Sequence, residues 1–356
     1  MALKPEKTLE FTDLKVKTDV FRFHNIFVIA SMSNPDVDEI HIGGNHTDSP
    51  NPKQKWTNVE QAIEKISHKA HNMENKRRIH EFPYPGCKTG IFAPVEYLSG
   101  RKRIMLFRYF GQVVNYYGGR LHTAADVNTG VPDLMIVAGV TEYVLGLPTQ
   151  YGGSGDPSPY TAADVVAVQK RILKMMGVVS EGADLQGIRF AIKGAAGSVG
   201  RNIIRLLYKE KATLYVADIN DAGIEEICSI YPGAIKKTPE EIHSVEVDVY
   251  CPADSTVTLP DEKMVSELKC KLLCGPTNDQ NRSEVFEDEI FRRGIIHLSM
   301  DGALENGGGL IHVVSELEDL NHDRHNGLVE KAADIFEESR TTGIPCYEVV
   351  KKRFLS

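Results

Sequence analysis

The chain has 356 residues, 42% of them hydrophobic and 25% charged, with a formal net charge of −8 at pH 7. That composition excludes a disordered or fibrous protein, and the negative balance argues against a nucleic-acid or anionic-membrane partner. The length exceeds one ordinary core and predicts two domains.

The N-terminal stretch "MALKPEKTLEFTDLK" is charged and lacks the apolar core of a signal peptide. No segment approaches the ~20 apolar residues of a membrane span, so a cytoplasmic protein with no membrane partner is expected. Residues 1–50 read as strands, with "FRFHNIFVIASM" and "EIHIGG" rich in β-branched and aromatic side chains. A helix follows, opened by a capping box of Thr57 and Glu60 and carrying Ala62, Ile63, Ile66, Ala70 and Met73 on one face. It runs toward Lys76. The next stretch, "PYPGCKTG", sets Lys88 in a turn among prolines and glycines, an unusual place for a long amine with no task. A strand near "GIFAPV", a helix around "KRIMLFRYFGQVVNYY" and the segment "GGRLHTAADVNTGVPDL" complete the first half.

In "LPTQYGGSGDPSP" Gly, Ser and Pro accumulate, which marks a hinge. A strong helix from about Thr161 to Met176 comes next. Strand and helix then alternate through "GIRFAIKG", "SVGRNIIRLLYKE", "ATLYVADIN", "VDVYCPA", "KLLCGPT" and "GIIHLSM". Such alternation predicts a parallel sheet covered on both faces. The last helix, about Gly327 to Thr341, is expected to cross back to the first domain, and the terminal "KKRFLS" reads as a frayed, solvated end. The six cysteines (Cys87, Cys228, Cys251, Cys270, Cys274 and Cys346) are scattered and read as reduced thiols. Cys270 and Cys274 lack a second pair, and the spacings His68/His71 and His322/His325 fit polar helix faces better than zinc, so no metal is expected.

The loop "KGAAGSVG" sits between a strand and a helix, with Gly194, Gly197 and Gly200 spaced G-x-x-G-x-x-G. The first interval is one residue longer than in the usual dinucleotide fingerprint. A turn without Cβ atoms still lets the amides of Gly194, Ala196, Gly197, Ser198, Val199 and Gly200 approach a pyrophosphate at a helix N-terminus. The following strand ends in Asp218 and Ile219, where an acid accepts hydrogen bonds from ribose hydroxyls and repels a 2′-phosphate, favouring NAD over NADP. Pro252 and Ala253, at the end of a later strand, are further cofactor candidates. The expected fold is α/β in two domains. Residues 1–148 form a mixed-sheet substrate domain, with a C-terminal helix, 326–356, packing back on it. Residues 149–325 form a doubly wound Rossmann NAD-binding domain.

The segment "MENKRRIHEFPYPGCKTGI" resembles the double-lysine segment of the glutamate/leucine/phenylalanine/valine dehydrogenases. "GGRLHTAADVNTGVPD" is similar to their catalytic-aspartate segment, closest to that of leucine dehydrogenase. "YGGSGDPSPYTA" looks like their hinge, and "TNDQ" and "ENGGGLIHV" resemble their late cofactor and substrate loops. Order and spacing match from about residue 20 to 345. The resemblance implies that Lys76 binds the substrate α-carboxylate, Lys88 activates water and Asp126 exchanges protons with the substrate amine. It places Thr161 near the nicotinamide carboxamide, and Asn278 and Asn306 near the nicotinamide ribose and the substrate. It also puts Gly43 and Gly44 at the substrate and Ile42, Ala124, Leu310 and Val313 along its side chain.

The chemistry stands on its own terms as well. Oxidative deamination moves a hydride from Cα and leaves an imine, which water must attack. The base that activates this water must be neutral, whereas a free lysine titrates near ~10.4. Burial and a second ammonium lower that value. Lys76 stays charged against a carboxylate, and Asp126 shuttles the proton.

Two choices remain open at this level. Helical projection puts Arg77, not Lys76, nearer the centre of the apolar face, and Asp133 competes with Asp126. Thr161 also suits a helix cap. Asn75, "GGNHTD", Glu305 and His312 depart from the family pattern and bear on the substrate, with Glu305 facing solvent, a partner or a polar side chain. An apolar pocket disfavours charged side chains, so a branched aliphatic amino acid is the first choice of substrate and an aromatic one the next. Reductive amination of an unusual 2-oxo acid and a non-catalytic NAD-binding protein are the alternatives. The resemblance implies a homodimer or larger homo-oligomer.

Overall fold

The computed structural model describes residues 3–51, 55–278, 280–281, 283–299, 302–317 and 323–356. The chain divides into two compact units, Met1–Asp156 with Val313–Glu318, and Pro157–His312 with Asp319–Ser356.

The first unit runs β1 (Lys7–Phe11), β2 (Val16–Phe23), β3 (Ile26–Ser33), β4 (His41–Thr47), α1 (Val59–His80), β5 (Cys87–Phe92), α2 (Gly100–Tyr116), β6 (Leu121–Ala124) and α3 (Val131–Ala138). Its sheet has the order β1-β2-β3-β5-β4-β6. The first four strands in that order pair antiparallel, and β4 is parallel to both β5 and β6. Alternation along each strand divides the side chains between two faces. On one face Val28, Ala30, Met32, Cys87 and Ile91 join a core with Phe107, Phe110 and Leu134 from α2 and α3. On the other, Val20 and Ile29 meet Trp56 and the apolar stripe Ala62, Ile63 and Ile66 of α1. Burying a side chain such as Ile66 contributes about 1.5–3 kcal/mol. The hydroxyl of Thr18 bonds those of Ser31 and Ser67 at 2.8 Å each, so these three hydroxyls under α1 are satisfied.

α1 starts one residue later than the capping box of Thr57 and Glu60 predicts. Asn58 is the N-cap and accepts from Gln61 N at 2.8 Å, while Thr57 N donates back to Gln61 Oε1 at 2.8 Å. Asn caps as well as Thr does, and Gln serves at the third helical position as Glu would.

The second unit contains α4 (Ser158–Met175), β7 (Arg189–Lys193), α5 (Ser198–Lys209), β8 (Thr213–Ala217), α6 (Asp221–Ile230), β9 (Ile235–Lys236), β10 (Val249–Pro252), α7 (Glu262–Glu267), β11 (Leu272–Leu273), α8 (Glu284–Arg292), β12 (Ile296–His297), α10 (Asp323–Thr342) and α11 (Cys346–Val350). The helix α9 (Gly308–Val314) contributes residues to both units. The sheet is parallel throughout, in the order β12-β11-β10-β7-β8-β9. This is the doubly wound Rossmann order, with its switch point between β7 and β10.

The sequence reading returns the C-terminal helix, 326–356, to the first domain and ends that domain at 148. In the structure the first unit continues to Asp156, and the C-terminal helices cluster with the second. α10 lies along α4 and is tied to it by His325 Nδ1 and Asp164 Oδ2 at 2.7 Å and by Arg171 Nη2 and Glu330 Oε2 at 3.3 Å. Helical periodicity reveals an apolar face but not the surface that covers it. His325 is thus paired with an acid, whereas His322 lies outside the described residues. The C-terminus is not frayed: Lys351 reaches Glu284 at 2.5 Å and Arg353 Nε reaches Glu338 at 2.8 Å. None of the six cysteines forms a disulfide. No described helix is long and apolar enough to cross a membrane, and the described residues contain no group of three or more ligands suited to a metal.

Candidate active site

Lys88 does not sit in a turn. It is the second residue of β5 and pairs with Ser31 of β3. Gly86 and Gly90 share its face of the sheet, and both let α1 close on the strand. A Cβ on Gly90 would lie 2.5 Å from Ile66 Cγ1, and one on Gly86 would lie 2.4 Å from the backbone nitrogen of Glu74. Glycines inside a strand mark such close approaches. The helix therefore presses on β5 on both sides of Lys88 and leaves it 4% exposed.

Register places Ile42, Gly44 and His46 of β4 and Ala124 of β6 on that same face, with Gly44 beside Ala124 and His46 beside Gly90. Gly43 faces the other way, where a Cβ would collide with the carbonyl of Cys87. Asp126 follows β6 in a tight turn closed by reciprocal backbone bonds with Thr129. It folds over Gly44: a Cβ there would stand 2.8 Å from Asp126 Cβ and 3.2 Å from its Oδ2. Its Oδ2 accepts a hydrogen bond from Lys88 Nζ, and its Oδ1 accepts from Val127 N at 2.7 Å. Asp133, the competing acid, is occupied elsewhere. It accepts from Gly130 N at 3.0 Å at the start of α3 and pairs with Arg103 through both oxygens, at 2.7 and 2.8 Å.

Burial pushes the Lys88 amine well below the ordinary lysine range, and the ammonium groups of Lys69 and Lys76 push it the same way. α1 continues unbroken to His80, and Lys76 is buried on it at 6% exposure. Arg77, which the projection favours, is a clamp instead. It pairs with Glu74 at 2.7 Å and donates to Phe82 O at 3.2 Å. Glu74 in turn accepts from Ser33, Asn34 and Gly86 N at 3.0–3.1 Å and so pins the chain before β5 to α1. Burial raises its pKa, but these bonds and Arg77 outweigh that, and the carboxyl stays below its usual range.

The sequence reading misses Lys69 and His46. Lys69 lies midway between Ile66, which covers Gly90, and Met73, which covers Gly86, and so stands over Lys88. Helical spacing from Ile66 holds that signal once the facing strand is known. His46 is 8% exposed, with its ring 4.7 Å from that of Trp56. Burial, then Lys69, Lys88 and Lys65, hold its pKa well below the usual value.

In the second unit, Gly194 has φ +82°, and a Cβ on it would meet Ala253 and Asp254 at 2.6 Å. β7 and β10 thus end close together at the switch point, with Pro252 buried at the end of β10. A Cβ on Gly200 would strike Gly194 O. Gly197 and Ser198 are exposed where α5 begins, with Ala196 and Val199 half-buried beside them, so the helix N-terminus is open to an anion. Asp218 Oδ2 accepts from Ala196 N at 3.0 Å, and its Oδ1 accepts from Asn220 N at 2.9 Å, which brings the acid to the loop; Ile219 beside it is exposed. These residues fit a dinucleotide.

Thr161 lies inside the first turn of α4 rather than at its cap, and a Cβ on Gly309 would come 2.5 Å from its hydroxyl. Asn306 Nδ2 donates to Asn278 Oδ1 at 3.0 Å and also to Pro276 O. His312 stacks on Tyr160 with ring centroids 3.5 Å apart. Leu310 and Val313 both belong to α9, the first half-buried and the second buried. Glu305 does not face solvent; it is fully buried.

No family model matches the chain. It is 33% identical over 299 residues to the leucine dehydrogenase of Bacillus subtilis (strain 168), covering 82% of this chain and 79% of that protein. It is 30% identical over 286 residues to the phenylalanine dehydrogenase of Bacillus thermotolerans, covering 79% and 72%. Among solved structures, L-tryptophan dehydrogenase from Nostoc punctiforme shares the fold with a TM-score of 0.66 at 22% identity, over 96% of this chain and 95% of that one.

Proposed function

This chain belongs to the glutamate/leucine/phenylalanine/valine dehydrogenase family of amino acid dehydrogenases, and from that premise we propose that it carries out the reversible, NAD-dependent oxidative deamination of an apolar L-amino acid. The products are the 2-oxo acid and ammonium. A branched-chain substrate is the first choice and an aromatic one the second. When bound, the nicotinamide cofactor supplies the hydride acceptor. In this reading Lys76 pairs with the substrate α-carboxylate. Lys88, neutral because it is desolvated, draws a proton from the water that attacks the imine carbon. Asp126 then passes protons between Lys88 and the departing nitrogen.

One observation carries the reading: a buried lysine, pressed under α1 between two glycines, is hydrogen-bonded to a partly exposed carboxylate. Ile42, Gly44 and Ala124 on the same face support an apolar substrate, and the carboxylate of Asp218 supports NAD over NADP. Lys69 and His46 favour a second reading, reductive amination of a 2-oxo acid with a polar side chain. A homodimer or larger assembly in the cytoplasm remains part of the proposal.

The test is a spectrophotometric panel of L-amino acids with NAD and NADP, run in reverse with 2-oxo acids, ammonium and the reduced cofactors. Turnover of apolar amino acids with NAD supports the first reading, and turnover confined to polar 2-oxo acids supports the second. Lys88→Ala and Asp126→Ala are each expected to lower kcat by ~10²–10⁴-fold. Full activity of Lys88→Ala would overturn both readings.

A further inference from the structure

Behind the Asn278–Asn306 pair runs a chain of buried polar side chains. Glu287, His297, Gln280, Glu305 and Ser299 are each at most 4% exposed. His297 Nδ1 faces both oxygens of Glu287, at 2.8 and 3.0 Å, and its Nε2 lies 3.0 Å from Gln280 Oε1. Gln280 Nε2 donates to Gly275 O at 2.6 Å and to Glu305 Oε1 at 3.0 Å. Ser299 Oγ bonds Glu305 Oε2 at 2.9 Å.

A carbonyl can only accept, so Gly275 fixes the orientation of the Gln280 amide and turns its oxygen toward His297. Nε2 of that ring must then donate, and Nδ1 faces both oxygens of Glu287, while neutral groups alone bond Glu305. Other titratable groups near Glu305 are Cys251 on β10, Cys274 after β11 and Cys346 on α11. Burial raises all three thiols, to about 12, well above the usual value and about 11, and keeps them neutral. Burial likewise raises Glu305, to about 7, against the opposing pull of His297. Both protonation states are accommodated, because the Ser299 hydroxyl donates to the carboxylate and turns to accept from the acid.

Glu305 immediately precedes Asn306, which the family resemblance behind the proposed function puts near the nicotinamide ribose and the substrate. Resting on that reading, we propose that Glu305 makes the protein distinguish the oxidised from the reduced nicotinamide. The ionised carboxylate favours the ring that bears a positive charge, and the protonated acid gives up that preference. The oxidised ring is a cation and the reduced ring is neutral, so only the first gains from a buried negative charge. The coupling is reciprocal: binding the oxidised form near neutrality expels a proton from Glu305.

The experiment measures dissociation constants of NADH, by its fluorescence, and of NAD, by competition, from pH 5.5 to 8.5, for the wild type and Glu305→Gln. In the wild type the ratio of the NADH to the NAD constant is expected to rise about 5- to 20-fold across neutrality, a shift typical of charges coupled through a protein interior. In Glu305→Gln it should stay flat. Ser299→Ala removes a donor to the carboxylate, so the rise should move to higher pH, and this covers the case in which Glu305→Gln does not fold. A flat ratio in the wild type, or the same rise in Glu305→Gln, overturns the inference and leaves the proposed function intact. Failure of the wild type to bind either dinucleotide overturns both.

Discussion

Gly90→Ala tests whether the contact between α1 and β5 is what keeps Lys88 out of water. The new methyl would stand 2.5 Å from Ile66 Cγ1 and 2.7 Å from its Cδ1, with Trp56 Cη2 at 3.5 Å. Ile66 is fully buried and β-branched in a helix, so it has one strongly preferred χ1 rotamer and cannot swing aside. Overpacking of this kind costs about 1–3 kcal/mol. Ile66→Ala removes the colliding atoms and leaves a cavity, at about 2–5 kcal/mol. In the double variant the methyl at 90 enters the vacated space, and the combined loss should fall short of the sum by on the order of 1 kcal/mol. Urea unfolding followed by the emission of Trp56, the only tryptophan in the chain, measures all four corners of the cycle beside the contact. The same variants carry a functional readout. Lifting α1 lets water reach Lys88 and moves its pKa back up, so the acid limb of kcat/KM in Gly90→Ala should shift to higher pH and return in the double variant. Additive energies together with an unmoved limb would refute the reasoning.

Two further outcomes follow from the charges around the two candidate sites. Lys69 lowers the pKa of Lys88. Removing that charge in Lys69→Met should raise it and displace the acid limb of kcat/KM to higher pH, with activity recovered in alkali and with Lys69→Arg close to the wild type. An acid limb that stays in place would show that Lys69 does not act on the base. In the second unit, Asp218→Ser takes away the carboxylate that faces the glycine loop, and preference for NAD over NADP is expected to fall by about tenfold or more, read from kcat/KM with each cofactor. Unchanged preference would assign the discrimination to other residues.

The glycine loop was readable because its physics is local: a strand, a turn that needs positive φ at Gly194 and a helix start all lie within a few residues. Strand–helix alternation announced the parallel sheet for the same reason. Lys88 was recognisable by type but not by setting. Proline and glycine around it imitate a turn, and only the approach of α1, which folds back over the strand that follows it, explains why Gly90 lies within β5 and Gly86 just before it.

Residue types and short-range spacing thus carried the fold class and the two-unit division, while the candidate lysines and aspartate rested on the family resemblance. Partner choice did not follow from them. Asp126 and Asp133 sit in one segment, yet one meets Lys88 and the other Arg103. Arg77 was the better apolar-face residue by projection, yet it became the clamp while Lys76 was buried. Glu305 was open to solvent, a partner or a polar side chain by sequence and lies in the core, bonded by Gln280 and Ser299. In each case an ionisable side chain's role depends on which charges and how much water surround it, and those are set when distant segments pack together.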